Sequence, residues 1–119
     1  MTATLAPNVV PITQPTFEEF WQATPIQKRI DKPLCHAKFA AITSPTGLTT
    51  KNLDKDSGEY VQVHLQANPA DILRGWMAYC RENATLDTKW GPPAKMRLKE
   101  DGRFVRRPAT WLNRGGWLE

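Results

Sequence analysis

Proline sets the limits of this chain's elements. Ten prolines fall in 119 residues. A proline inside a helix costs about 3 kcal/mol, so each helix must open on one or stop before the next. Thr16-Phe17-Glu18-Glu19 reads as a capping box. Phe17, Phe20 and Trp21 then recur at helical steps on one apolar face. Pro25 biases Thr24 away from helical angles, which ends this helix near Ala23. Asp31-Lys32-Pro33 opens a second helix, with Asp31 as its cap and Pro33 in its first turn. Leu34, Cys35, Phe39 and Ile42 share its inner face, and Ser44-Pro45-Thr46-Gly47 stops it.

The next segment has a different period. Leu48-Thr49-Thr50 leads to Asp54-Lys55-Asp56-Ser57-Gly58, and Tyr60-Val61-Gln62-Val63-His64-Leu65 follows. β-branched residues on both sides of a turn cluster predict a β-hairpin. Asn68-Pro69-Ala70-Asp71 opens a third helix, whose face is Ile72, Trp76, Tyr79, Cys80 and Asn83. Gly75 lies within it and costs about 1 kcal/mol against alanine, a cost that close packing would offset. Residues 85–105 are irregular. Pro108 opens a short last helix that reaches Asn113, and Gly115-Gly116 ends it.

These elements predict a small, mainly α domain of three to four helices, with a β-hairpin between helices 2 and 3. Residues 16–119 form this single domain, and residues 1–15 form a disordered leader, rich in proline and threonine and free of charged side chains. Phe20, Trp21, Phe39, Ile72, Trp76, Tyr79 and Leu112 should be buried together. Trp111 should join the core and tie the two ends, on Phe17 or Trp21.

Chemistry-bearing motifs are few. Asp54-x-Asp56-x-Gly58-Glu59 matches only part of a calcium loop, so a hairpin turn is expected. His36, His64, Cys35 and Cys80 have no ligand-like spacing, so no metal site is expected. Two cysteines without a signal peptide read as buried thiols in a reducing cytoplasm. No phosphate loop, nucleophile elbow or paired-carboxylate motif is present. The chain is therefore expected to have no catalytic residues and no cofactor. No apolar run reaches the 18 residues that suggest a membrane span.

Charge is more informative. The net charge is +4, yet residues 89–116 hold eight basic residues against only Glu100 and Asp101. The rest of the chain is slightly acidic, so the positive field belongs to the C-terminal quarter. Arg103, Arg106 and Arg107 flank Phe104, and Arg114 lies between Trp111 and Trp117. Arginine and lysine neutralise phosphates, and exposed aromatic rings stack on unpaired bases. The candidate nucleic-acid residues are therefore Lys95, Arg97, Lys99, Arg103, Phe104, Arg106, Arg107, Arg114 and Trp117. Phe104 and Trp117 are the stacking candidates. A solvated basic face over a tail anchored by tryptophan is the other reading. A duplex binder using helix 3 is disfavoured, because that helix carries only Arg74 and Arg81 and its best face is apolar.

The segments "FEEFWQATP" and "RFVRRPATWLNRGGWLE" resemble the C-terminal domain of phage and prophage replication proteins of the initiator or helicase-loader type. The pattern F-x-x-F-W is met by Phe17, Phe20 and Trp21, and the stretch "KPLCHAKFAAI" resembles its basic amphipathic helix. The pattern I-L-x-G-x-x-x-Y is met from Ile72 to Tyr79, and P-A-T-W-L-N-x-G-x-W from Pro108 to Trp117. The intervening "GLTTKNLDKDSGEYVQVHLQA" is similar to versions with a hairpin between helices 2 and 3. The resemblance spans Phe17 to Glu119. It implies a role in replication initiation or primosome assembly, in the cytoplasm of a bacterial host. With the basic, aromatic end it points to single-stranded DNA as partner; the alternative is a protein-interaction module that binds a host replication protein such as the replicative helicase, or another host factor. Many relatives carry a winged helix ahead of this domain. Sixteen residues precede it here, which implies an accessory module, or one diverted to a different phage–host task, rather than origin recognition.

Overall fold

Thr16 starts the first helix by a reciprocal bond. Its hydroxyl accepts from the Glu19 amide at 3.3 Å, and the Glu19 carboxylate accepts from the Thr16 amide at 2.8 Å. The computed structural model describes residues 14–118; the rest of the expected leader, residues 1–13, lies outside them. Four α-helices surround one core: α1 (Phe17–Gln22), α2 (Lys32–Thr43), α3 (Pro69–Glu82) and α4 (Pro108–Asn113). An antiparallel hairpin, β1 (Leu48–Leu53) and β2 (Tyr60–Leu65), lies between α2 and α3 with Leu48 opposite Leu65 and Leu53 opposite Tyr60. Four 3-10 turns complete the described chain, at Ile26–Lys28, Pro93–Lys95, Lys99–Gly102 and Gly116–Leu118.

The hairpin turn is held by Asp54. Its carboxylate accepts from the Asp56 amide at 3.2 Å and from the Ser57 hydroxyl at 3.0 Å. Such a turn is the expected substitute for a calcium loop. Asn68 caps α3, accepting from the Asp71 amide at 3.0 Å. Asp31 departs from expectation. It adopts φ 60° and its side chain caps nothing, so the α2 entry is set by backbone and Pro33.

The core is an aromatic stack. Trp76 lies 5.5 Å from Phe20, 5.1 Å from Trp111 and 5.8 Å from Tyr79, measured between ring centroids. Phe39 closes on Phe20 at 5.5 Å and on Phe17 at 5.6 Å. Aromatic side chains bury roughly 150–250 Å² each, about 4–6 kcal/mol apiece by area. The expected core residues are buried except Tyr79, which is half-buried because its hydroxyl reaches outward to accept the Arg106 amide at 2.9 Å. Leu34 is also displaced from the expected face: it is 45% exposed while Cys35, Phe39 and Ile42 are buried. Trp111 does tie the ends together, but through Phe20 at 6.4 Å rather than through Phe17 or Trp21.

Gly75 shows why glycine is kept in α3. A Cβ there would lie 2.9 Å from Trp117 Cβ and 3.0 Å from its Cα. The C-terminal turn Gly116–Leu118 thus packs directly on the α3 backbone. Asn113 fastens the hairpin to the same end. Its Oδ1 accepts from Lys38 Nζ at 2.8 Å and from Thr50 Oγ1 at 3.0 Å, and its carbonyl accepts from Asn52 Nδ2 at 3.0 Å.

Candidate nucleic-acid interface

The irregular stretch after α3 is clipped at its base. Ala84 and Leu98 form an antiparallel bridge, Thr85 N–H donates to the Arg97 carbonyl at 2.7 Å, and Lys99 N–H donates to the Asn83 carbonyl at 2.9 Å. Between the two 3-10 turns the backbone at Met96 and Leu98 is extended, and extended backbone sends alternate side chains to opposite sides. Met96 and Leu98 therefore turn inward and are buried, while Lys95, Arg97 and Lys99 stand exposed. Three cations line one ribbon because two apolar residues between them anchor it.

The chain then turns left-handed. Glu100 and Asp101 each have φ 55°, and Gly102 has φ 77°. Left-handed angles cost a non-glycine residue roughly 1–2 kcal/mol. The turn brings buried Gly102 against Lys28: a Cβ at Gly102 would meet Lys28 Cε at 3.0 Å. The adjacent turn Ile26–Lys28 is fixed by Gln27, whose side-chain oxygen accepts from Leu98 N–H at 2.9 Å. Lys28 thereby enters a cationic cluster from elsewhere in the sequence. Partial burial, and then the nearby Arg107 charge, hold its ammonium below the usual lysine range.

Arg103 and Phe104 follow on the outside. The Arg103 guanidinium lies 5.7 Å from the Phe104 ring centroid, and Phe104 is 73% exposed. Arg107 is exposed as well. Lys28 thus joins Arg107 beside the Gly102 turn, with the exposed pair Arg103 and Phe104 next in sequence and Lys95, Arg97 and Lys99 exposed on the segment leading in. Glu100 and Asp101, both exposed, reduce the local positive charge.

Three candidates lie elsewhere. Arg106 and Arg114 are half-buried and line a cleft beside the hairpin, with Asp54 and Asp56. Arg114 Nε is buried there without a hydrogen-bond partner among the described residues. Trp117 is half-buried, packing edge-on against Trp111 at 6.0 Å and over Gly75. Its ring is partly engaged by the core. Trp90 was not among the sequence candidates, yet it is 77% exposed, with Lys89 Nζ 5.5 Å from its ring centroid.

Among the described residues, no group of three or more His, Cys, Asp or Glu side chains is placed to hold a metal ion. No described helix is long and apolar enough to cross a membrane. Cys35 and Cys80 are free and buried. No family model matches the chain, and no curated protein or solved structure does.

Proposed function

We propose that this protein binds single-stranded nucleic acid, single-stranded DNA foremost, as an accessory component of a phage-type replication complex. Its place of work is the cytoplasm of a bacterial host. The observation that carries this reading is an exposed aromatic ring beside a cation, Phe104 with Arg103, two residues after the Gly102 turn that packs on Lys28, which in turn lies near Arg107. Cations neutralise phosphates. An exposed ring adds stacking that only an unpaired base can accept, about 1–3 kcal/mol per base. The resemblance of the F-x-x-F-W and P-A-T-W-L-N segments to phage replication domains supports the same reading. Nothing in it calls for a covalent step.

Two charge-reversed pairs test the map by fluorescence anisotropy on a labelled single-stranded oligonucleotide. Arg103→Glu with Arg107→Glu should weaken binding at least about tenfold and flatten the salt slope by about 1.4, the loss of two phosphate contacts. Lys51→Glu with Lys55→Glu makes the same change in net charge on the hairpin and should leave affinity within about twofold. Equal losses in both pairs would reduce the effect to net charge and overturn the assigned face.

A further inference from the structure

Helix α3 is apolar on two sides. Ile72, Trp76 and Cys80 face the core. Ala70, Leu73 and Met77 recur at three- and four-residue steps on an adjoining face and are only half-buried. They line a groove of about 690 Å³ together with Trp90, whose ring is 77% exposed. The charged residues at this groove are mostly of one sign: Arg74, Arg81 and Lys89 against Glu82. Arg74 is paired with Asp71.

We propose that this groove docks an acidic amphipathic peptide segment of a partner protein. Its apolar side chains would lie on Leu73, Met77 and Trp90, and its carboxylates would meet Arg81 and Lys89. Two observations favour such a peptide over nucleic acid. Trp90 is the one ring in the lining, and Ala70, Leu73 and Met77 beside it offer a base no stacking face, whereas apolar side chains of a peptide bury against them. The cations border an apolar surface instead of forming a continuous track, which suits carboxylates flanking a hydrophobic anchor. Methionine adapts its shape to varied anchors, and tryptophan is a common energetic focus of interfaces. The groove shares no lining residue with the cationic cluster around Lys28 and gives the protein-partner alternative a surface of its own.

Selection from a library of short random peptides on the immobilised full chain tests this directly. Enriched peptides should combine Asp or Glu with Leu, Ile, Phe or Trp. Their affinity, measured by anisotropy, should fall at least about tenfold in Trp90→Ala and comparably in Arg81→Glu with Lys89→Glu. Circular dichroism should show both variants folded, and both should retain their affinity for single-stranded DNA. Enrichment without acidic residues, or equal binding by the variants, would overturn the proposal. So would displacement by a single-stranded oligonucleotide, or by a synthetic peptide of residues 1–13. Failure here leaves the nucleic-acid reading standing, because that reading rests on Phe104 and the cations around Lys28.

Discussion

Trp76 is fully buried, and its indole N–H donates to Thr24 Oγ1 at 3.0 Å. The Thr24 hydroxyl in turn donates to the Phe20 carbonyl at 3.0 Å. Indole can only donate, so this threonine satisfies the one polar atom of the central ring. Thr24→Val preserves shape but leaves that donor unpaired in the core. We expect a loss of about 1–3 kcal/mol in urea unfolding. Unchanged stability would show that the indole finds another acceptor. The thiols offer a second test at this scale. Burial pushes both Cys35 and Cys80 up to about 12, whereas an unfolded thiol ionises near 8.5. The folded state therefore holds protons that the unfolded state has released. Stability present below about pH 8.5 should be lost as pH rises towards 12, at up to about 1.4 kcal/mol per pH unit for each thiol. Native chain should resist an aromatic disulfide reagent at pH 8 and react fully once denatured.

At the scale of elements, Asn113 fastens the middle of β1 to the helices, while Leu65 and Leu48 seat the open end of the hairpin in the core. Asn113→Ala removes the acceptor shared by Lys38 and Thr50. Amide hydrogen exchange should accelerate in β1 and β2, while α3 amides keep their protection. Uniform acceleration across the molecule would mean that the hairpin and the core unfold together. Gly75→Ala tests the other join. Helix propensity alone favours alanine by about 1 kcal/mol, but the Trp117 backbone 3.0 Å away leaves no room for a methyl group. Net destabilisation of about 1–3 kcal/mol is expected from overpacking. Most of these elements were legible from caps and prolines: Thr16 with Glu19, Asn68 before Pro69, and Pro108. Periodicity was less informative at the edges of faces. Leu34 precedes Cys35 by one residue, about 100° around the helix, and that rotation carries it out of the core. Asp31 has the composition of a cap but a left-handed backbone, and no neighbouring residue signals that angle.

At the scale of the molecule, the positive end of the sequence becomes two surfaces. Arg106 and Arg107 are adjacent, yet Arg106 turns to the hairpin cleft and Arg107 to Lys28. Pro108 holds Arg107 extended at φ −64°, ψ 151°, and extended neighbours point apart. The sequence carried the charge but not this division. It also gave no sign of Lys28, which reaches the site only through packing of two turns distant in the chain. Trp90 lies in a stretch without periodicity, where nothing separates a core ring from an exposed one.

Phe104 and the cations around it lead to one decisive measurement. A labelled single-stranded oligonucleotide is titrated with the full chain at low and moderate salt, with a duplex of the same sequence as control. The single strand should bind more tightly than the duplex, and log affinity should fall against log salt with a slope of about −3 to −4, as five or so phosphate contacts require. Phe104→Ala should weaken the single strand by about 1–3 kcal/mol and leave the duplex unaffected. Absence of binding at low salt, or equal binding of both forms, would contradict a single-strand site at this face.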